Sequence, residues 1–440
     1  MKPIAYGIDF GTTNSSIAVA YDDDIRIIDV STQGIPQILP SIVYLHRDGI
    51  QAAGEEAVRQ YLVTGSRKTR CGDCDLVERD SGRTYTDCRQ YKPGGGCQDA
   101  RIATELKSFL ADDSFTSTHS WARDFDFPEF VATVLGELKR SADRVVGADV
   151  RRAVIGYPVV FAGAEGPGVE ARQRLALDRL IEAARRAGFE EIDFLEEPAA
   201  AVVDEHLERG LVVVVDFGGG TFDVAVVDLA PDQGEVVALQ GAAVGGERFT
   251  ELLFKEKVAP HLGLDGTVSG IPAWLRRWLT TLSGVLWVLS NRDAAGLIRA
   301  AAQRSSEVAK LEAILYGGFA YQFYRAIEDA KIALSQVEWT AMDFHRPGID
   351  ISIPVTRSEF ERLISPELEV ILERILAALD QAGVSPERVD VVLRTGGSSG
   401  IPAFVRLLED LFEPSKVQER PVYTTVVHGL AAYSRGRWSA

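Results

Sequence analysis

Gly7-Ile8-Asp9-Phe10-Gly11-Thr12-Thr13-Asn14-Ser15 opens the chain, and Val215-Asp216-Phe217-Gly218-Gly219-Gly220-Thr221-Phe222-Asp223 repeats its plan about 200 residues later. Each copy reads as an apolar strand that ends on an aspartate, a turn of small residues, and a second apolar strand, at 17–20 after the first turn and 224–227 after the second. The pattern predicts two β-hairpins and, from their duplication, two similar lobes. A lone Asp-Gly turn is most often nothing more than a tight hairpin. Two matched copies point to a shared task.

That task follows from the residue types. Polyphosphate needs backbone N–H groups at close range, and Gly11, Gly218, Gly219 and Gly220 carry no side chain to keep it away. Thr12, Thr13 and Thr221 add hydroxyl donors. Asp9 and Asp216, each at the end of the strand before its turn, place carboxylates where they can hold Mg²⁺ through the waters that this ion keeps.

Composition sets the frame. The 440 residues suffice for two or three domains or one large two-lobed unit, and 46% apolar with 25% charged residues is ordinary for a folded globular chain. A net charge of −17 works against binding to nucleic acid or anionic lipid, and no basic patch offsets it. The start, Met1-Lys2-Pro3, has no signal-peptide pattern, and Arg276 and Arg277 interrupt the apolar stretch 271–289. The expectation is a cytoplasmic protein with no membrane or nucleic-acid partner, in which 271–289 forms one helix with an apolar face.

Apolar β-branched runs at 4–8, 211–215 and 389–393 alternate with helical periodicity, an α/β pattern. Leu177, Leu180, Ile181 and Ala184 before Gly188, and Phe404, Leu407, Leu408 and Leu411 after Pro402, mark two helices. A third pattern, from Phe360 to Leu379, is expected to break at Pro366 and stop at Gly383. Phe319, Tyr321, Phe323 and Tyr324 are expected in the core of the second lobe.

The two turns resemble the first and second phosphate motifs of the heat-shock-protein-70 (Hsp70) ATPases. Glu196-Glu197-Pro198-Ala199-Ala200-Ala201 resembles the family's hinge-proximal motif, which implies that Glu197 positions the attacking water. Gly245-Gly246-Glu247 resembles the loop along the phosphates, 328–335 the helix at adenosine, and Thr395-Gly396-Gly397-Ser398-Ser399-Gly400-Ile401-Pro402 the adenosine turn. The short bacterial YegD-type members are the nearest in character, from 153–158 and the tryptophan-containing stretch 274–287.

The resemblance implies an actin-like ATPase fold, that is, a duplicated ribonuclease-H-like unit with a central nucleotide cleft. Lobe I would take 1–205, with an outer subdomain at about 41–114, and helix 422–440 would return to it. Lobe II would take 206–421, with its outer subdomain at about 246–340. ATP or ADP with Mg²⁺ would be held by Gly11, Thr12, Thr13, Asn14, Gly218, Gly219, Gly220, Asp223, Gly245, Gly246, Glu247, Glu328, Lys331, Ser335, Gly396, Gly397 and Ser398. Asp9, Glu197, Asp216 and Thr221 would form the catalytic group, with Asp9 and Asp216 on Mg²⁺ through water.

Three departures matter. The family's γ-phosphate lysine has no counterpart in Gly54-Glu55-Glu56-Ala57-Val58-Arg59; Arg59 is one residue out of register, and Lys107 lies elsewhere in the chain. Ile332 and Gly400 stand where the family has the arginines that flank adenine. After 429–432 the chain shows neither the acidic-hydrophobic linker nor the β-sandwich of a peptide-binding domain. The expected function is an Hsp70-like, chaperone-like or regulatory ATP-binding protein that closes its lobes on Mg·ATP, a weak ATPase. The alternative is a nucleotide-dependent switch that recruits an unidentified protein partner without hydrolysis.

All four cysteines, Cys71, Cys74, Cys88 and Cys97, fall in an insert at 67–100 that is poor in apolar residues. Their Cys-x₂-Cys start favours structural Zn²⁺, against two disulfides or four free thiols. A remote reading takes Gly396-Gly-Ser398-Ser-Gly400 as the nucleophile elbow of a serine hydrolase, which would leave both glycine turns unexplained.

Overall fold

Strands Ala5–Phe10 and Gly210–Phe217 are each the middle strand of a sheet, and each is buried on both faces. Their unbroken apolar runs anticipate this, since a strand covered on both sides has no reason to alternate. Ala5–Phe10 lies between Arg152–Tyr157, to which it is parallel, and Asn14–Ala20, its antiparallel hairpin partner. Glu191–Glu196 and Ile25–Ile27 complete the two sides. Gly210–Phe217 lies in the same way between parallel Val391–Thr395 and antiparallel Phe222–Ala230, with Val417–Glu419 and Gln233–Ala242 at the edges. The second sheet thus repeats the five-strand order of the first, which adds the two-residue strand Leu39–Pro40 on Asn14–Ala20, and the architecture is mixed α/β. The computed structural model describes residues 2–438 apart from 33, 47–48, 65–67, 70–96, 99, 121–122, 165, 204–209, 231–232, 268–269, 291 and 422–423.

Each sheet is backed by helices that the sequence punctuates. Phe127–Val146 starts at Asp126, whose carboxylate accepts from Glu129 N, and stops at Gly147 with φ +74°. Arg357–Ala382 starts with a Thr356/Glu359 capping box and stops at Gly383 with φ +64°. This second helix runs unbroken through Pro366, against the expectation of a break. Proline cannot serve the carbonyl of Arg362, but the Ser365 hydroxyl donates to it at 3.1 Å, so that carbonyl is not orphaned.

The apolar stretch 271–289 is likewise two helices and not one, Ala273–Trp278 and Leu282–Ser290. Thr281 Oγ1 accepts from Gly284 N at 3.1 Å and so caps the second. A Cβ on Gly284 would sit 1.9 Å from Trp278 O, so the sharp junction depends on glycine there. The final helix, Thr425–Trp438, crosses back to the first sheet and packs on Ala5–Phe10 and Asn14–Ala20. The approach is tight: a Cβ on Gly7 would lie 2.3 Å from Ala431 N.

Outside the first sheet, Val43–His46 pairs with Gly49–Ala53 and Ala100–Ala103 under helix Gly54–Thr64. Lys68–Thr69 pairs with Cys97–Gln98, which brings the two ends of the cysteine segment together. Cys71, Cys74 and Cys88 lie outside the described residues, as does the Cys97 side chain. Among the described residues no helix is long and apolar enough to cross a membrane.

Candidate functional site

The two glycine turns meet face to face. A Cβ on Gly219 would stand 2.6 Å from Thr13 Oγ1, and one on Gly220 would stand 2.6 Å from Thr12 Oγ1. The loop at Gly245 approaches as closely, since a Cβ there would be 2.2 Å from Gly219 O. The second turn is therefore bare because the first turn's threonines need the room. Between them opens a cleft of about 270 Å³.

Every predicted cleft residue lines it except two. Asp223 sits behind the wall, where its carboxylate accepts from Val159 N at 2.8 Å and ties the two halves together. Gly245 supports the wall through its contact with Gly219. Lys107, Ile332, Gln336, Gly400, Ile401 and Val426 line the cleft in addition.

At the floor three carboxylates face one ammonium. Lys107 Nζ donates to Glu197 Oε1 at 2.5 Å, and both side chains are buried. Burial alone would depress the Lys107 ammonium, but the Glu197 and Asp9 carboxylates override it and raise its pKa. Burial and the Glu197 carboxylate push Asp9 up to about 7, with Lys107 acting in the opposite sense. Asp216 is held well above the usual carboxylate range by burial and by its neighbours Glu197 and Asp9. Burial and Glu197 likewise push Asp223 up to about 7.

One ammonium does not balance these acids, and a hard divalent cation would. Among the described residues no three His, Cys, Asp or Glu side chains stand close enough to share a bare ion. Asp9 and Asp216 both line the cleft and are the carboxylates that could hold Mg²⁺ through water.

Lys107 is the cation that the sequence could not choose. Residues 106–109 form a short 3₁₀ turn that carries the side chain inward. Arg59, the other candidate, points outward and pairs with Glu56 on the surface of its own helix. A lysine among the apolar neighbours Leu106, Phe109 and Leu110 was the signal available.

The other end of the cleft is organised by helix Ala320–Ala333 and the 395–400 turn. Lys331 Nζ donates to Gly246 O at 2.9 Å and Thr250 Oγ1 at 3.0 Å, and burial lowers its pKa. The Ser398 hydroxyl donates to Gly218 O at 2.8 Å, so it braces the glycine turn. That is a positioning contact, and it gives the serine-hydrolase reading no geometric support. Gly396 holds φ +86°, and a Cβ there would strike Phe217 O at 2.4 Å. Phe323 and Tyr324 lie in the core of the second half as expected, whereas Tyr321 packs edge-on against Tyr61 at 6.4 Å, joining the outer parts of the two halves.

The fold is a duplicated α/β unit that brings paired glycine turns over buried acids. The family profile described as "Hsp70 protein" matches residues 5–261 and 319–427, and the chain belongs to that family. It is 26% identical over 424 residues, 94% of its length, to "Chaperone protein DnaK" of Thermosipho melanesiensis. It spans about half the length of that relative, 56%. The helices around Trp274 lie between the two matched segments.

Proposed function

We propose that the cleft binds ATP with Mg²⁺, that the two halves close around it, and that hydrolysis follows slowly. The convergence of Asp9, Asp216, Glu197 and Lys107 beneath two interlocked glycine turns carries this reading. The phosphates would lie against Gly11, Thr12, Thr13 and Gly218 to Thr221. Adenosine would lie along Glu328, Lys331, Ser335, Gly396 and Gly397, with Ile332 and the bare Gly400 offering shape and apolar contact where arginines are absent. Bound Mg²⁺ would neutralise phosphate charge as the bond to the leaving oxygen breaks.

Glu197 would orient a water for attack on the γ-phosphorus and accept its proton, while the bond to the β-phosphate oxygen breaks and ADP and phosphate leave. Lys107 would hold Glu197 in place and face the γ-phosphate. The rate is expected to be low because the family's γ-phosphate lysine has no counterpart in 54–59. Closure would be felt where the outer parts already meet, at Tyr61 with Tyr321 and at Glu105 with Ser283. By likeness to the chaperone relative, a protein partner would respond to that closure. The zinc reading rests on cysteine spacing alone, and metal analysis of the purified chain with titration of its thiols decides between zinc, disulfides and free thiols.

Single-turnover hydrolysis of ATP by the wild type and Glu197→Gln tests the proposal. We expect the variant to bind ATP and to hydrolyse it at least about 100-fold more slowly. Equal rates at background would leave the non-hydrolysing switch, and no ATP binding by either protein would remove the nucleotide reading.

A further inference from the structure

The turn that carries Lys107 is held from outside itself. The chain enters it through Glu105 at φ 58°, the one described non-glycine residue at positive φ. That conformation is costly for a residue with a Cβ, so the surrounding structure has to impose it. A 3₁₀ turn of four residues also has few hydrogen bonds of its own, and they are poor in geometry.

Arg179, on helix Val169–Arg186, supplies the hold. Its Nη1 donates to Phe109 O at 3.0 Å, to Leu110 O at 2.9 Å and to Asp112 O at 2.9 Å, and its Nη2 donates to Phe115 O at 3.0 Å. The guanidinium lies over the Phe127 ring at 5.4 Å, and the residue is 7% exposed. These four hydrogen bonds all go to backbone carbonyls, at the far end of the turn and just beyond it. An apolar side chain would fill a buried place at less cost than a cation, so packing alone does not account for Arg179. What the planar fork adds is one fixed geometry for 109–115.

The same helix anchors a second segment of the site. Gln173 Nε2 donates to Val159 O at 2.7 Å, and Gln173 Oε1 accepts from Phe161 N at 2.8 Å. Val159 N in turn donates to Asp223. Lys107 lies two residues before the first carbonyl that Arg179 holds, and Ser108 Oγ would be 3.4 Å from a Cβ on Gly220. Any shift of the turn therefore displaces the ammonium and alters the contact with the second glycine turn.

We propose that Arg179 is the positioning residue for Lys107, its grip on the carbonyls of 109–115 keeping the ammonium against Glu197 and toward the γ-phosphate. This rests on the reading of the cleft as an ATP site. A lysine at 179 would keep the charge but lose the fork, since one ammonium cannot serve carbonyls from 109 to 115 together.

ATP affinity, and single-turnover hydrolysis at saturating Mg·ATP, measured on the full chain, separate positioning from packing. In Arg179→Lys we expect hydrolysis at least about tenfold slower, with ATP affinity within about twofold of the wild type. Lys139→Met serves as the comparison for stability alone: Lys139 is buried in the same half, donates to Asp143 at 2.6 Å and pairs with Asp149. That variant should melt at a lower temperature and hydrolyse at the wild-type rate. Arg179→Gln, which leaves no cation in the core, decides the matter if Arg179→Lys does not fold. A wild-type rate in the folded Arg179 variant, a loss confined to ATP affinity, or an equal slowing in Lys139→Met would each overturn the proposal. A wild type that does not hydrolyse ATP would instead remove the reaction, and this role with it.

Discussion

The two acid-headed turns began from one plan and no longer do the same work. The first, at 11–13, carries two threonines; the second, at 218–220, carries nothing but backbone. In the folded chain the hydroxyls of Thr12 and Thr13 occupy the space that side chains on Gly220 and Gly219 would need. The copies have become projection and recess. Duplication supplied the symmetry, and the unequal side chains let the two halves approach within a single cleft. Electrostatics repeats the lesson: both turns bring an aspartate, but the first half alone supplies the ammonium, Lys107, that faces them.

The largest test of this asymmetry removes that ammonium. Lys107→Met leaves Glu197, Asp9 and Asp216 without a nearby cation, and stability should fall by about 3 kcal/mol in denaturant titration. Hydrolysis should fall at least about 100-fold in single turnover. Arg59→Ala should change neither, because its partner Glu56 is on the surface. A Lys107→Met protein as stable as the wild type would show that the acids are balanced from elsewhere.

Next in size is the fit of the turns. Gly219→Ala should weaken ATP binding about tenfold, since over-packing costs roughly 1–3 kcal/mol. Gly218→Ala, in the same turn, should leave the melting temperature without nucleotide unchanged, because its nearest protein atom would be 3.6 Å away. Combining Gly219→Ala with Thr13→Ala should recover most of the loss, as the clash is with the Thr13 hydroxyl. Additive losses in the double variant would break the projection-and-recess account.

A smaller effect belongs to the contact that joins the halves at Glu105 and Ser283. Burial and the carboxylates of Glu328 and Glu251 push Glu105 up to about 7, with Ser283 acting in the opposite sense. Glu247 also faces it, and the nearby cations Arg325 and Lys331 are engaged with Glu328 and with Gly246 and Thr250. A carboxyl raised from its ordinary 4.5 contributes stability that is complete below about 4.5 and lost as pH rises through about 7. Glu105→Gln keeps the protonated shape at every pH. Its melting temperature should match the wild type near pH 5 and exceed it near pH 8, measured without nucleotide; a constant difference would refute the assignment.

The smallest concerns the long helix of the second half. Ser365→Ala would orphan the Arg362 carbonyl beside Pro366, and because this part of the helix is exposed the loss should be about 1 kcal/mol or less in thermal unfolding.

Much of this was legible because it is local. The hairpin strands, the helices ending at Gly188 and Gly383, and the acids at the ends of strands follow from composition within a few residues. The family resemblance then ordered the remaining cleft residues along the chain. The break at Leu279–Thr281 and the continuity through Pro366 were missed because each turns on one side-chain hydroxyl choosing one backbone partner. Lys107 was ambiguous because its role depends on Glu197, 90 residues away.

By itself, then, the order of residues determined the duplicated unit, the chemistry of the two turns and the class of ligand they suit, since apolar periodicity, glycine and aspartate act on the nearest neighbours. Which lysine faces the acids, which threonine fills which glycine, and the pairing of Glu105 with Ser283 were decided only when distant segments packed. Charge compensation and steric fit depend on separation in space, and separation in space is what folding alone assigns.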